Sequence, residues 1–186
     1  MRIISGRLGR RTLSIPKGLD VRPTTDRVRE AVFNWLQSRV EFEGAAVVDL
    51  FAGSGAMGIE AYSRGAESVT FVERSARVAD QIRTNLELLG ITDACTVITA
   101  DAMHWVGRAE DGRFDLVLAD PPYDFGELEA LPGMLLRLSS PGGVAVLEHG
   151  AHPGTFESHP RLKDQRKYGK TRVAYFTPES GDEEPS

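Results

Sequence analysis

From residue 45 onward, short β-rich runs alternate with helical segments. The runs are Ala45–Leu50, Ser68–Glu73, Thr96–Ala100, Phe114–Asp120 and Val144–Glu148. They lack a strong in/out alternation, which is typical of strands covered on both faces of a parallel sheet. The segments between them, roughly 56–64, 75–89, 102–109 and 127–138, have helical patterns. This order predicts an α/β fold of Rossmann-like type, in which crossover helices wind a mostly parallel sheet.

The N-terminal residues precede this alternating core. Two short apolar runs flank Gly6-Arg7-Leu8-Gly9, which predicts a β-hairpin with a glycine-bearing loop. After Pro23, the side chains of Thr24 and Thr25 can cap a helix that runs through Arg39. We therefore treat residues 1–40 as a basic hairpin-and-helix extension of the core.

The C-terminal residues predict a closing hairpin. Lys163–Tyr168 and Thr171–Thr177 face each other across Gly169-Lys170, which favours an antiparallel pair at the sheet edge. With this pair the predicted sheet has seven strands, and residues 41–178 form one domain. Residues 179–186 are acidic and contain Pro and Gly, so we expect a disordered tail.

Composition excludes several kinds of protein. The single cysteine, Cys95, leaves no partner for an internal disulfide, and the four histidines lack acidic or thiol partners at metal-ligand spacing, so we expect no metal. No run approaches the roughly 18 apolar residues of a membrane span, and no signal peptide precedes the first charged residues. We expect a cytoplasmic monomer without membrane contact.

Positive charge is concentrated near the two ends of an acidic chain. The net charge is −5, but residues 1–40 hold nine Arg or Lys and only three acids. A second basic cluster comprises Arg161, Lys163, Arg166, Lys167, Lys170 and Arg172. Such clusters favour a phosphate-rich partner, although charge alone does not exclude an ordinary solvated surface.

The first core strand leads into a glycine-rich turn. Val47-Val48-Asp49-Leu50-Phe51 is followed by Ala52-Gly53-Ser54-Gly55-Ala56-Met57-Gly58. Glycine allows the backbone to approach a ligand closely, and the next helix begins with free N–H groups. The same glycines satisfy the dinucleotide fingerprint, so the loop alone does not separate NAD from S-adenosyl-L-methionine.

Three acids stand at the ends of three successive strands. Asp49 lies inside an apolar strand, where a carboxylate is costly unless it finds donors. Glu73 follows Gly53 by twenty residues, the position from which an acid accepts both ribose hydroxyls. Asp101 is placed to accept from an adenine amine while the Ala102 N–H donates to the ring. Because these strand ends border one crevice, we predict a nucleoside-containing cofactor there.

A stiff corner, Asp120-Pro121-Pro122-Tyr123, ends the fourth predicted strand. Proline fixes φ and lacks an N–H, so the corner presents carbonyl oxygens. The Asp120 carboxylate and the Pro121 carbonyl can accept the two hydrogens of a planar amino group. Tyr123 offers a ring for base stacking, which contributes about 1–3 kcal/mol in comparable contacts. The corner predicts methylation of an exocyclic amine without naming the amine.

At these residues the chain resembles a known family. Asp49-Leu-Phe-Ala-Gly-Ser-Gly55 with Asp120-Pro-Pro-Tyr123 resembles class I S-adenosylmethionine-dependent methyltransferases that modify amino groups. Resemblance to the RsmD family rests on Arg2-Ile-Ile-Ser-Gly6, Gly9-Arg-Arg11, Arg22-Pro-Thr-Thr-Asp-Arg-Val-Arg-Glu30, Phe33-Asn-Trp-Leu36 and Tyr168-Gly-Lys-Thr171. It covers residues 1 to about 177.

This resemblance implies an activity and a partner. The family methylates N2 of one guanine in 16S ribosomal RNA, free or within an assembling small subunit. It implies S-adenosyl-L-methionine held by Ala52, Gly53 and Gly55, with Asp49 organising the loop and facing the methionine end. We predict RNA contacts at Arg7, Arg10, Arg11 and Arg22.

Other activities stay open from the residues alone. The Asp120 corner would also serve adenine N6 or cytosine N4 of DNA, or the side-chain amide of a protein glutamine. The absence of a sizeable target-recognition domain disfavours DNA, and the basic N-terminus disfavours a protein substrate. A ribosome-assembly factor with secondary methylation is a further alternative, and an NAD-dependent oxidoreductase is a distant one.

Overall fold

The computed structural model describes residues 1–14, 25–150 and 155–178. In these parts of the chain the helices are α1 (Asp26–Leu36), α2 (Ala56–Ser63), α3 (Ala76–Leu89), α4 (Ala102–Val106) and α5 (Leu131–Leu138). The strands are β1 (Ala46–Leu50), β2 (Ser68–Glu73), β3 (Cys95–Thr99), β4 (Phe114–Ala119), β5 (Ser139–Gly150), β6 (Leu162–Tyr168) and β7 (Thr171–Phe176). The predicted tail lies outside the described residues.

The seven strands form one sheet in the order β3-β2-β1-β4-β5-β7-β6. β1 to β5 are parallel, and β7 pairs antiparallel with both β5 and β6. Chain order reverses between β1 and β4, which opens a crevice at the carboxyl ends of these strands. The predicted α/β fold and its closing hairpin are confirmed.

Helices cover both faces of the sheet and produce two hydrophobic layers. α1, α2 and α3 bury apolar side chains on one face, which we call the α1 layer, and α4 and α5 cover the other face. Adjacent strand residues such as Val47 and Val48 belong to opposite layers. This burial on both faces explains why the strands lack in/out alternation.

The N-terminal segment forms a short hairpin that packs on the core. The predicted pairing is present as one antiparallel bridge, Arg2 to Thr12, and as backbone hydrogen bonds that join Ile3 to Arg10 and Arg11 and Leu13 to Met1. Ile3, Leu8 and Leu13 are buried in the α1 layer. A Cβ at Gly6 would lie 1.8 Å from the Ser63 carbonyl oxygen, so glycine is required where the segment touches α2.

The buried Glu60 of α2 binds the backbone of the N-terminal segment. Its carboxylate is fully buried and accepts the backbone N–H groups of Ile4 (2.8 Å) and Ser5 (3.1 Å). The Arg64 guanidinium pairs with it at 2.9 Å, and the buried Arg29 of α1 lies 4.0 Å away. These donors satisfy a carboxylate that would be costly to bury alone.

Helix α1 lies over the antiparallel end of the sheet. Thr25 caps it by accepting from the Val28 N–H at 3.3 Å, and it ends at Leu36, earlier than the predicted Arg39. The Trp35 indole stacks on the Tyr175 ring at 4.0 Å and donates to Asp164 at 2.8 Å. The N-terminus of α1 is thereby held above the sheet edge where the crevice opens.

No described helix is long and apolar enough to span a membrane.

A candidate cleft for a nucleoside cofactor and an amine

A cleft of about 630 Å³ follows the carboxyl ends of the parallel strands. Its volume is in the range of small-molecule sites. The cleft unites all but one of the predicted cofactor and catalytic residues: Asp49, Ala52, Gly53, Glu73, Asp101, Ala102, Asp120, Pro121, Pro122 and Tyr123. Gly55 does not line the cleft but caps α2, with φ at +73°.

The glycine turn that follows β1 is shaped by unusual backbone angles. Phe51 and Gly53 both have positive φ, at +56° and +52°. Phe51 is not glycine, so its conformation is strained, and such strain concentrates at ligand sites. A Cβ on Gly58 would lie 2.4 Å from the Phe71 ring, so α2 packs against β2 only because residue 58 is glycine. The turn therefore holds the start of α2 against the cleft.

Asp49 is a buried carboxylate whose pKa is raised. It is 4% exposed, and its Oδ2 accepts the Gly58 N–H at 2.9 Å. Burial raises its pKa to about 7, the Gly58 N–H opposes this rise, and the negative charge of Glu73 adds to it. A cation placed beside Asp49 would favour the ionised form. Asp49 thus both braces the turn and provides an acceptor for a positively charged ligand group.

Glu73 connects the glycine turn to the start of α3. Its Oε2 accepts the Gly53 N–H at 3.0 Å and its Oε1 accepts the Ser75 N–H at 2.8 Å. A carboxylate has about four lone-pair sites, so both oxygens keep capacity for further donors. Glu73 therefore has a bracing role that the sequence did not indicate, beside its predicted role toward ribose.

Asp101 lines the cleft and also caps a helix. It is the N-cap of α4, and its Oδ1 accepts the His104 N–H at 3.0 Å. Capping fixes the first turn of α4 and presents Ala102 to the cleft. The predicted adenine contacts of these two residues stay a prediction.

The Asp120 corner is anchored on two sides. The Tyr123 hydroxyl lies 2.6 Å from the Thr171 Oγ1 at the start of β7, and the Tyr123 side chain is 39% exposed. Phe125, just beyond the corner, packs edge-to-face on Phe51 with ring centroids 5.4 Å apart. The corner is thus connected to the glycine turn and to the closing hairpin.

Several cleft residues were not predicted from the sequence, among them Thr25, Val28, Glu148 and Thr171. Glu148 is 9% exposed, and both it and Thr171 reach the cleft only because β5 and β7 extend the sheet beyond β4. Asp49, Asp120, Glu148 and Thr171 each lie two residues from a member of the α1 layer, so strand periodicity turns all four toward that layer. A line of polar groups therefore crosses four strands beneath α1.

Two of the predicted RNA-contact arginines, Arg7 and Arg11, lie away from the cleft. Arg7 donates to the carbonyl oxygens of Tyr62 (3.0 Å), in the last turn of α2, and of Ala66 (2.8 Å), just beyond it. Arg11 donates to Leu89 at 3.1 Å, at the end of α3. Both helices begin at the cleft, so these guanidiniums stabilise helix C-termini at the opposite edge.

Arg10, the third of the predicted contacts in the N-terminal segment, is exposed. Arg22 lies outside the described residues. RNA contact by all four arginines remains a prediction. Within the described residues no group of three or more His, Cys, Asp or Glu is arranged to hold a metal.

Comparison with known proteins places the whole chain in one family. The family model described as "Conserved hypothetical protein 95" matches residues 1–177. The Bacillus subtilis protein YlbH, named as an rRNA methyltransferase, is 37% identical over 95% of this chain and 98% of its own length. Ribosomal RNA small subunit methyltransferase D of Escherichia coli strain K12 is 40% identical over 73% of this chain and 66% of its own length.

Solved structures agree with the sequence match. The Escherichia coli yhhF protein superposes with a TM-score of 0.82 at 32% identity, over 95% of this chain and 96% of that one. The strand order and the position of the cleft fit this likeness. This chain belongs to the family of that model, the RsmD family, and has the Rossmann-like fold of class I methyltransferases.

Proposed function

We propose that this protein methylates the exocyclic N2 amine of a guanine in 16S ribosomal RNA, with S-adenosyl-L-methionine as the methyl donor. One observation carries the proposal: the acids of β1, β2 and β3 and the Asp120 corner open into a single cleft across the β1–β4 switch point. The names of the relatives from Bacillus subtilis and Escherichia coli support ribosomal RNA as the substrate.

The β1–β3 half of the cleft fits the cofactor. Asp49 offers a buried acceptor to an ammonium group, Glu73 keeps acceptor capacity for ribose hydroxyls, and Ala102 and Val72 supply apolar contact for a base. When bound, S-adenosylmethionine supplies an electrophilic methyl group on a cationic sulfur. The glycine turn allows the backbone to approach such a ligand closely.

The β4–β7 half fits a nucleobase that has left its stack. The Asp120 carboxylate and the Pro121 carbonyl would accept the two amine hydrogens, which turns the nitrogen lone pair toward the donor methyl. Tyr123, held by Thr171, would stack on the base. The N–CH₃ bond forms as the S–CH₃ bond breaks, and the amine loses one proton to Asp120 or to water. Positioning of a neutral amine against a cationic donor supplies most of the rate.

Glu148 favours guanine over the other amino-bearing bases. The register that pairs Ala119 with Leu147 places Glu148 on the strand beside Asp120, and neighbouring strands lie about 5 Å apart. Guanine presents an N1–H donor next to its N2 amine, whereas adenine and cytosine present an acceptor nitrogen there. An ionised carboxylate only accepts hydrogen bonds. We propose that Glu148 accepts the guanine N1–H while Asp120 and Pro121 hold the amine.

The proposal is tested by identifying the modified nucleoside. Purified protein, labelled S-adenosylmethionine and 16S ribosomal RNA are incubated, and the RNA is digested and analysed by mass spectrometry. We expect N2-methylguanosine. Methyladenosine, methylcytidine or no incorporation would overturn the proposal. Free RNA and isolated small-subunit particles, assayed in parallel, identify the form of the substrate, and nucleosides from cells with and without the gene extend the test in vivo.

A further inference from the structure

We infer that the tip of the β6–β7 hairpin docks the phosphate backbone of RNA beside the catalytic corner. The tip, which we call the basic tip, consists of Lys167, Lys170 and Arg172. The choice of RNA as the partner rests on the proposed function. The sequence indicated a basic cluster in this region, but the RNA contacts predicted by residue were the N-terminal arginines.

The basic tip lies at the same edge of the sheet as the cleft. Thr171, at the start of β7, pairs with Gly150 at the carboxyl end of β5. The Thr171 side chain contacts the Tyr123 hydroxyl at 2.6 Å. A nucleic acid whose base sits against Tyr123 would therefore have its backbone within reach of the tip.

The tip carries positive charges that the described residues do not neutralise. Lys167 lies directly opposite Arg172 on the neighbouring strand. Like charges in this position destabilise an antiparallel pair unless an anion lies between them. Lys170 occupies the exposed turn, and none of these three residues forms a salt bridge within the described parts of the chain.

Arg172 donates to the Gln165 amide oxygen at 3.2 Å, which is neutral and leaves its charge unpaired, whereas other cations are paired with an acid or hold helix ends. Arg166, on the same strand as Lys167, pairs with Asp164 at 2.9 Å. Arg7 and Arg11 donate to carbonyl oxygens at the ends of α2 and α3. α3 alone has 14 residues, which separates its two ends by about 20 Å. The basic tip therefore lies at the cleft edge of the sheet, whereas Arg7 and Arg11 lie at the opposite edge.

The hairpin also provides a matched control. Arg161 and Lys163 carry the same charge at the other end of the hairpin. Four residues of extended strand separate Lys163 from Lys167, a distance of about 13 Å. The double variants Lys167→Ala/Lys170→Ala and Arg161→Ala/Lys163→Ala thus remove equal charge at opposite edges of one element.

The experiment measures the affinity of the full chain for 16S ribosomal RNA at several salt concentrations, together with S-adenosylmethionine affinity and methyl-transfer kinetics. For the tip variant we expect the slope of log K against log salt to flatten by about 1.4–1.8, as expected for two lost phosphate contacts. KM for RNA should rise, while kcat at saturating RNA and cofactor affinity stay unchanged. The control variant should match the wild type.

Two results would overturn the inference. Equal losses of slope in both variants would show a general effect of net charge, and unchanged slopes would show that RNA docks elsewhere. Failure of the proposed function is distinguishable, because wild-type protein would then bind RNA without methylating it. In that case the comparison of the two variants still decides whether the tip holds phosphate.

Discussion

The Tyr123 hydroxyl lies 2.6 Å from the Thr171 Oγ1, so the ring that follows the Asp120 corner is attached to the first residue of the last strand. Tyr123 and Thr171 are 48 residues apart in sequence. The bond joins the end of the parallel part of the sheet to its antiparallel hairpin. The proposed stacking of a base on Tyr123 would therefore depend on a residue of the closing hairpin.

Removal of either hydroxyl should weaken substrate binding modestly. A hydrogen bond of this kind contributes about 0.5–1.5 kcal/mol, so Tyr123→Phe and Thr171→Val should each raise KM for RNA about two- to tenfold. Because they remove the same bond, the double variant should be no worse than either single variant. Steady-state kinetics test this, and additive losses would show that the two hydroxyls act separately. Tyr123→Ala should be more severe, since stacking is lost as well.

Asp120→Ala should bind S-adenosylmethionine normally and lose methyl transfer. The carboxylate is proposed to act on the amine and not on the donor, and positioned groups of this kind contribute about 10²–10⁴ in rate. Calorimetry and single-turnover assays separate the two steps. Near wild-type turnover at saturating RNA would contradict the mechanism.

The same variant separates enzyme from assembly factor. Expressed in cells that lack the gene, Asp120→Ala should leave 16S ribosomal RNA unmethylated. Restoration of small-subunit assembly by this variant would assign the main contribution of the protein to RNA binding.

Cofactor affinity should depend on the ionisation of Asp49. Burial raises its pKa to about 7, and a cationic ligand group binds the ionised form, so affinity should fall about tenfold per pH unit below 7. Asp49→Asn should bind weakly with little dependence on pH across this range. Calorimetry between pH 5 and 8 measures both, and a flat wild-type profile would exclude Asp49 as the cation acceptor.

Ionisation of Asp49 should lower the stability of the ligand-free protein, although it should raise the affinity for the cofactor. Its folded pKa is raised from an ordinary value of 3.8, so the contribution to ligand-free stability is full below 3.8 and is lost as pH rises through 7. Denaturant titrations should show that the free energy of unfolding falls with rising pH in the wild type and falls less in Asp49→Asn. An unchanged decline in Asp49→Asn would assign it to other groups.

Glu73→Ala should weaken cofactor binding for two reasons. It removes the proposed ribose acceptor, and it releases the N–H groups of Gly53 and Ser75 that the carboxylate holds. We therefore expect lower cofactor affinity and a less stable glycine turn, seen as faster amide hydrogen exchange at Gly53. Asp101→Ala should weaken binding less, since the Ala102 N–H remains. Unchanged affinity in a folded Glu73→Ala variant would show that this end of the cleft does not hold the ribose.

Glu148→Met should impair guanine methylation without loss of cofactor affinity. The variant keeps side-chain volume but removes the proposed acceptor of N1–H, an effect of about 1–3 kcal/mol or roughly 5- to 150-fold in kcat/KM. Glu148→Gln keeps one acceptor oxygen, so its loss of kcat/KM should be smaller. The comparison of the two variants separates recognition of the guanine N1–H from packing of the side chain. Thermal denaturation checks that both variants are folded, and equal losses in both would argue against recognition of N1–H.

Local sequence patterns were sufficient to predict much of the fold. β2 was predicted to the residue because Ser68–Glu73 is a β-branched run between turn residues. β5 begins at Ser139, five residues before its predicted start, because Ser-Ser-Pro-Gly-Gly has the composition of a turn. Ser139 nonetheless pairs with Phe114 of β4, and the register shifts before Val144 pairs with Leu116.

The site was predictable only where its residues lie within motifs. Asp49 and Glu73 lie near the ends of strands with recognisable signatures and Asp120 directly follows one, so a parallel sheet was enough to predict that they converge. Glu148 and Thr171 required the strand order β4-β5-β7, which no local pattern specifies. The N-terminal runs pair with each other as predicted, but their further partners on α2 and α3 lie 55 to 78 residues away, so no local pattern indicated those contacts.

The buried carboxylate of Glu60 also determines when the first residues reach their positions. Ile4 and Ser5 are synthesised early, but Glu60 follows 55 to 56 residues later, and Asn85, which accepts the Ser14 N–H, follows 71 residues after Ser14. At about 5–20 residues per second, translation needs roughly 4–14 s to supply these last partners. Until then Ile3, Leu8 and Leu13 have no core to enter. The N-terminal segment is therefore made first but can take its position only after α2 and α3 have been made.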